Sequence, residues 1–309
     1  MRGRWFVVAL LVLVVLSVGG VLYGRQAVSF LTHRKGAPER TWPLEPPAEP
    51  PLLRVAVAGD IGEGEVEAWD TAAAMLRAGD DDPYDVLLLL GDNVYPDGDP
   101  ARLPDTVFRP FGDVLDAGAR LLAIVGNHDA AGGRSLEQIR ALGMSDLWWS
   151  ESIGDVLFVG LDSNKVGDPA QAAWLEEMLR NATEPWKIVA IHESPYSAGY
   201  QGSNLDVRER FAPLFERYGV QLVLSGHDHD FQRSRAIDGV TFLVSGAGGR
   251  TRGTGEEDFT AASWSVLHFM DLGVYEDRLV LRAITQDGRV FDEATIPLGA
   301  LHETPPTES

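Results

Sequence analysis

The stretch that decides the fold is RVAVAGDIG, residues 54 to 62, in which an apolar run ends in Gly59 and Asp60. Short runs rich in β-branched residues are typical of buried strands. Apolar runs that end in polar residues return four more times along the chain. The sequence therefore predicts a set of buried strands with polar residues at their carboxyl ends.

The polar residues at these strand ends are of few types. After the remaining four runs come Asp92, then Asn127 with His128, then His192, and finally His227 with His229. Each single Asp, Asn or His among them is explained at least as well by a turn, a helix cap or a loop histidine. His227 and His229 are a stronger signal, because two imidazoles separated by one residue can reach neighbouring metals. Because the carboxyl ends of strands in α/β sheets face one crevice, the whole set is expected to converge and form a metal-binding rim.

The chemistry of this rim limits the metals it can hold. The chain has no cysteine, which excludes disulfides, thiolate metal sites and a cysteine nucleophile. Imidazole, carboxylate and amide oxygen suit Zn, Mn or Fe rather than Cu(I). Seven candidate side chains exceed what one ion takes when water and substrate also bind, so we expect two ions.

The apolar runs alternate with helical patterns over residues 66–78, 169–181 and 207–218. This alternation predicts an α/β domain with buried strands. Beyond residue 239 the pattern changes to four apolar runs without helices, at 240–244, 265–272, 278–284 and 290–296. A separate second sheet formed by this tail is the simplest interpretation.

The charge excludes one class of function. The formal net charge is −20, and the chain beyond residue 40 holds 20 basic against 45 acidic residues. Such a domain repels polyanions, which argues against a nucleic-acid-binding module. A small anionic ligand would need a positive group that side chains do not supply, and bound metal would provide it.

The N-terminal part has a different composition. Trp5 to Tyr23 form an uncharged apolar run of 19 residues, about 28 Å as a helix and sufficient to span a bilayer core. A cleaved signal peptide and a buried core helix are the alternatives. Residues 36–51 (GAPERTWPLEPPAEPP) are rich in proline and predict a stiff spacer. We expect an N-terminal membrane anchor or signal segment at 1–35, a linker at 36–51 and a catalytic domain at 52–309, either anchored outside the cytoplasm or secreted after cleavage.

Five blocks together resemble the calcineurin-like metallophosphoesterases, and within them the purple acid phosphatase type. They are Gly59–Gly62, Gly91–Tyr95, Gly126–Asp129, Ile188–His192 and Gly226–His229. Most metallophosphoesterases carry a histidine at the position of Gly62. Here that position is glycine and the second block ends in Tyr95, as in the purple acid phosphatases.

This resemblance implies a fold and a ligand set. The fold would be two stacked mixed β-sheets flanked by helices. One metal would be held by Asp60, Asp92, Tyr95 and His229, and a second by Asp92, Asn127, His192 and His227, with Asp92 bridging. A phenol binds as an anion only to a strong Lewis acid, so the pair is expected to be Fe(III) plus Fe(II), Zn or Mn.

The resemblance also implies a reaction, the hydrolysis of phosphate monoesters by a metal-bound hydroxide. His128 would stabilise the transition state or protonate the leaving oxygen, and Asp129 would orient it. Related sequences often carry a second histidine where this chain has Gln201. The blocks leave two alternatives open, a phosphodiesterase acting on nucleotide or lipid headgroup esters, and an anchored binding protein without turnover.

Overall fold

The computed structural model describes residues 36–299. Its α-helices are α1 (Val66–Ala78), α2 (Gly112–Asp116), α3 (Asn127–Ala131), α4 (Ser135–Ala141), α5 (Pro169–Asn181) and α6 (Leu205–Arg217). Shorter helical turns lie at Pro100–Arg102, Pro104–Phe108 and Ser163–Lys165. Its strands are β1 (Trp42–Pro43), β2 (Leu53–Ala58), β3 (Val86–Leu89), β4 (Arg120–Ala123), β5 (Trp149–Ile153), β6 (Val156–Leu161), β7 (Trp186–Ile191), β8 (Leu222–Ser225), β9 (Phe231–Ser234), β10 (Thr241–Ser245), β11 (Thr260–Trp264), β12 (His268–Val274), β13 (Arg278–Thr285) and β14 (Arg289–Pro297).

These strands form two mixed sheets of seven strands each. The first has the order β1-β14-β13-β12-β2-β3-β4 and the second β11-β9-β10-β8-β7-β6-β5. The strands β2, β3 and β4 are parallel in the first sheet, as are β6, β7, β8 and β10 in the second. The predicted architecture of two stacked mixed sheets flanked by helices is confirmed.

Side chains along the central strands point alternately to the two faces of each sheet, and this explains how the sheets and helices are layered. In β2, Val55 and Val57 pack in the core between the two sheets, whereas Ala56 and Ala58 face the opposite way, against Met75 of α1. Helices α5 and α6 cover the outer face of the second sheet in the same manner. A strand covered on both faces reads as a continuous apolar run, which is why these strands could be predicted.

The prediction that the tail forms a separate second sheet is wrong. Strand β12 pairs with β2, and β13 and β14 continue outward from it, so these three strands belong to the first sheet. The second sheet consists of β5 to β11 instead. Hydrophobic pattern shows that a strand is buried but not which neighbour it pairs with, and here that neighbour is about 200 residues away.

The proline-rich segment 36–51, predicted to be a stiff spacer, contains the short strand β1 and contacts the domain. Trp42 and Pro43 pair with Val290 and Arg289 at the edge of the first sheet. Side chains also hold its carbonyl oxygens: Arg282 donates to that of Glu45 at 2.8 Å. An edge strand tolerates proline because one side of it needs no backbone N–H.

The predicted membrane anchor or signal segment lies outside the described residues. Within residues 36–299, no helix combines the length and apolar character that crossing a bilayer requires.

Candidate metal centre

The two sheets bring their strand ends together at one place. Asp60 follows β2, Asp92 follows β3 and His192 follows β7. One potential ligand atom from each of the three lies within 4.8 Å of the others, and all three side chains are buried. The convergence expected of the strand ends is therefore present in the structure.

A first group of three side chains surrounds one of the Asp60 oxygens. Asp60 Oδ1 lies 3.2 Å from the Tyr95 hydroxyl and 3.3 Å from His229 Nε2. The Tyr95 hydroxyl is also 3.3 Å from His229 Nε2. Three potential ligand atoms thus form a nearly equilateral triangle, and they belong to the set implied for the first metal.

A second group lies around His192. Its Nε2 is 3.2 Å from Asn127 Oδ1 and 3.5 Å from Asp92 Oδ1. The ring of His227 stands edge-on to that of His192, with centroids 5.1 Å apart. All four belong to the set implied for the second metal, so the structure brings together every predicted ligand.

The backbone at these positions is unusual. Outside glycine, the described residues include four with positive φ, and three of them are candidate ligands: Asp60 at 59°, Asp92 at 50° and His227 at 67°. Such conformations cost energy and cluster at functional sites. Gly91 has a φ of 87°, and a Cβ there would lie 2.7 Å from His192 Nδ1, so the turn before Asp92 requires glycine.

Backbone contacts hold the ligand side chains in place. His192 Nδ1 donates to the Leu90 carbonyl at 2.8 Å, which leaves Nε2 directed at the site. Asp60 Oδ2 accepts from the His227 amide at 2.9 Å, and Asp92 Oδ1 accepts from the His128 amide at 3.0 Å.

The electrostatics of the site fit a cation. Within residues 36–299, no lysine or arginine forms an ion pair with Asp60 or Asp92, whose only ionic partners are His229 and His192. Against the effect of burial, Asp92 raises the pKa of His192 to about 10. Burial, with Asp60 and Asp92 nearby, raises the pKa of the Tyr95 phenol far above its ordinary value. Two buried carboxylates are thus paired only with imidazoles, and beside them lies a phenol that ionises only next to strong positive charge. Metal ions stabilise donors of this kind.

The structure also explains the glycine at position 62. A Cβ on Gly62 would lie 2.5 Å from the Val94 nitrogen and 2.6 Å from the Asp92 carbonyl oxygen. The backbone of Gly62 pairs with this loop, donating to Asp92 O and accepting from Tyr95 N, both at 3.0 Å. The loop that delivers Tyr95 therefore occupies the space that a side chain at position 62 would need.

His128 stands beside the ligand cluster without joining it. Its ring packs edge-on against Tyr95, with centroids 4.6 Å apart, and it is half-buried. Nδ1 donates to the Pro96 carbonyl at 2.8 Å, which leaves Nε2 available to a bound molecule.

The expectation that Asp129 orients His128 is wrong, because the Pro96 carbonyl occupies that role. The buried Asp129 carboxylate instead accepts from the Asn93 and Val94 amides at 3.1 and 3.0 Å, and from Gln138 Nε2 at 2.7 Å. Asp129 thus fixes the loop between Asp92 and Tyr95. Sequence reasoning missed Asn93 and Gln138, and the one available signal was Asn93 inside the second block.

The loop carrying Gln201 is tied to the last block by its backbone. The Gln201 amide donates to Asp228 Oδ1 at 2.7 Å, and its side chain is exposed. Asp228 is buried, and burial raises its pKa. No contact with the ligand cluster gives the Gln201 side chain a role in place of a histidine.

Known proteins are similar to this chain in sequence and in fold. The family model described as calcineurin-like phosphoesterase matches residues 53–231, which include all of the candidate ligands. This match covers more than half of the chain.

Among curated proteins, purple acid phosphatase 3 of Arabidopsis thaliana is 26% identical over 267 residues, which cover 75% of this chain and 72% of the relative. Tartrate-resistant acid phosphatase type 5 of Mus musculus is 26% identical over 242 residues, 65% of this chain and 74% of the relative. The solved structure of purple acid phosphatase PPD1 from yellow lupin (Lupinus luteus) superposes with a TM-score of 0.71 at 18% identity, covering 85% of this chain and 58% of that one. The structural match is evidence for the fold.

Proposed function

Because this chain belongs to the calcineurin-like phosphoesterase family, we propose that it is a dinuclear-metal phosphoesterase that hydrolyses phosphate monoesters. One observation carries the proposal: two buried carboxylates, Asp60 and Asp92, converge with imidazoles and a phenol, with no lysine or arginine of the described chain paired to them. Relatives named as purple and tartrate-resistant acid phosphatases support our choice of phosphate monoesters over diesters as the substrate class.

The residues that would hold the metals are those of the two groups. Asp60, Tyr95 and His229 would hold one ion, with Asn127, His192 and His227 at the other and Asp92 between them. Two such cations would lower the pKa of a water and neutralise phosphoryl oxygens. A tyrosinate ligand favours Fe(III) at the first position, with Fe(II), Zn or Mn at the second.

The chain's own contribution to the chemistry would come from His128. The Pro96 carbonyl fixes its Nδ1–H, and the Tyr95 ring fixes the plane of the imidazole. A protonated Nε2 can then donate to the leaving oxygen of an ester bound at the cluster. Asp129 would act indirectly, by holding the loop that carries Tyr95.

The proposal is tested by turnover and metal content together. We expect purified protein to contain close to two metal ions per chain and to hydrolyse phosphomonoesters faster than diesters. With Fe(III) bound, it should show a visible charge-transfer band that Tyr95→Phe removes. A preference for diesters would favour the phosphodiesterase alternative, and two bound ions without turnover of either class would favour the binding protein.

The role of His128 has its own test. His128→Ala should slow esters with basic alkyl leaving groups about 10²- to 10⁴-fold more than nitrophenyl esters, whose anion leaves unaided. Gln201→Ala is the matched control, because its exposed side chain should affect both classes alike. Equal slowing of both classes by His128→Ala would reduce His128 to a binding role.

We also infer from the apolar run Trp5–Tyr23 that the domain is anchored to a membrane and lies outside the cytoplasm. Cell fractionation should recover the protein with membranes, and protease added from outside should cleave it. A soluble form lacking about the first 20 residues would identify a cleaved signal peptide instead.

A further inference from the structure

Exposed large apolar side chains are unevenly distributed over the described part of the chain. There are eight of them: Trp42, Leu52, Val66, Trp69, Phe108, Leu136, Tyr200 and Leu205. The strand-end face is defined here as the end of the molecule formed by the loops that follow the parallel strands, residues 59–66, 91–99, 124–136, 192–205 and 226–230. The metal ligands lie on this face, whereas Leu52 lies at the opposite end, just before β2 begins.

Three helices place their first turns, and with them apolar side chains, on the strand-end face. Helix α1 follows the Asp60 loop and carries Val66 and Trp69, which is 45% exposed. Helix α4 begins beside Asp129 and carries Leu136. Helix α6 follows the His192 loop and begins with Leu205, 58% exposed.

Trp42 and Phe108 extend this set. Trp42 pairs with Val290, and the register across β14, β13 and β12 places it level with Ala58, the last residue of β2. Thr106 lies next to Gly64 in the loop that follows Asp60. Phe108 follows Thr106 by two residues. Tyr200 is left out of the surface because the Arg252 guanidinium lies over its ring at 5.5 Å. Six of the eight side chains therefore lie at or level with the strand-end face.

The chain also enters the domain at this face. The Gly36 carbonyl accepts from the Ser265 amide at 3.0 Å, and the neighbouring Trp264 pairs with Phe231, two residues after the ligand His229. From strand spacings, Ser265 lies on the order of 10 Å from the His229 backbone. Twelve residues separate Gly36 from Tyr23, a reach of at most about 40 Å.

We propose that the strand-end face docks on the bilayer into which the apolar run inserts, so that the metal centre opens toward lipid headgroups. This rests on the membrane anchoring proposed above. Scattered exposed apolar side chains, two of them tryptophan, are suited to the membrane interface. The excess of acidic residues beyond residue 40 identifies the bilayer as zwitterionic or uncharged, because an anionic one would repel the domain.

The absence of cysteine from the chain permits a direct test. Full-length Trp69→Cys, Leu205→Cys and, as the matched control, Leu52→Cys are labelled with a polarity-sensitive fluorophore and reconstituted into phosphatidylcholine vesicles. Quenching by brominated phosphatidylcholine should be at least about threefold stronger at positions 69 and 205 than at position 52. Turnover of a soluble phosphomonoester by each labelled variant checks that the domain is folded and tests the proposed function separately.

Each other outcome overturns the docking. Equal quenching at all three positions, or none at 69 and 205 in vesicles that carry the protein, means that this face does not meet the lipid. A lipid-independent blue shift at 205 that grows with protein concentration means that a second copy covers the face. Failure to float with vesicles removes the anchoring on which the docking rests, while turnover still reports on hydrolysis.

Discussion

Two regions of the first sheet bury carboxylates in opposite ways. At the metal centre, Asp60 and Asp92 have only imidazoles as ionic partners in the described chain. In the middle of β12, Asp271 is fully buried between two arginines: Arg54 Nε lies 2.9 Å from its Oδ1, and Arg282 Nη2 lies 2.6 Å from its Oδ2.

The difference teaches what a buried carboxylate can and cannot indicate. Both regions bear the desolvation penalty of an ionised acid. Around Asp271 the chain supplies two arginines that neutralise the carboxylate, so this cluster needs no bound ion and has a structural role. Around Asp92 it supplies no lysine or arginine, only the imidazole of His192, whose proton a metal ion can displace. A buried acid thus points to metal binding when its only basic partners are side chains that can themselves bind a metal.

The largest expected effect comes from Asp92→Asn, which removes the carboxylate that we propose both metal positions share. Turnover should fall about 10³-fold or more, because bound cations contribute several kcal/mol of transition-state stabilisation. Elemental analysis should show fewer than two ions per chain. If the variant retained two ions and activity within tenfold of the original, the Asp92 carboxylate would not be required for metal binding. The contrast with Asp271 would then fail.

Asp271→Asn should do the reverse. Two buried guanidinium groups would lose their partner, and the free energy of unfolding should fall by about 3–5 kcal/mol, measured by urea denaturation. The metal content of the folded fraction should not change. Asp277→Asn, in an exposed pair with Arg278, is the control and should matter far less. Metal loss in Asp271→Asn would mean that the two regions are not independent.

A third buried group, His268, has neither a metal nor an opposite charge. Burial lowers its pKa to about 4, while in the unfolded chain it is about 6.5. The unfolded state therefore binds the extra proton between these values, so stability is full above pH 6.5 and falls toward pH 4, by about 3 kcal/mol in all. With metal saturating, His268→Gln should flatten the pH profile of unfolding over this range. An unchanged slope would assign the acid sensitivity to other groups.

The smallest expected effect concerns the proton that His192 carries when no metal is bound. His192, with a pKa of about 10 without metal, is protonated at neutral pH, and a metal ion must displace that proton. Titration with Zn²⁺ in buffers of different ionisation enthalpy should show proton release, and apparent affinity should rise about tenfold per pH unit between pH 6.5 and 8. Asp271→Asn should leave both readings unchanged. Binding without proton release would contradict the pairing of His192 with Asp92.

Much of this site could be predicted because the signals that identify it lie in short, continuous stretches of sequence. An apolar run, a glycine and a polar residue identify a strand end, and the parallel topology brings such ends together, as for Asp60 and His192. Helices 66–78 and 169–181 were predicted with their observed bounds, since their hydrophobic periodicity lies within the segment itself.

What could not be predicted depends on distant partners. The neighbour of β12, the edge pairing of Trp42 and the arginines around Asp271 all join positions far apart in the sequence. The role of Asp129 was assigned to the wrong partner because backbone amides, which every residue carries, bind it. Residue types give no sign of such contacts.

The crowding at Gly62 has an evolutionary consequence. A histidine there would collide with the loop that presents Tyr95, so this backbone cannot hold a side chain at position 62 together with Tyr95 in its present place. A single substitution of Gly62 would disturb that loop. We therefore expect the glycine and the tyrosine to change together during evolution.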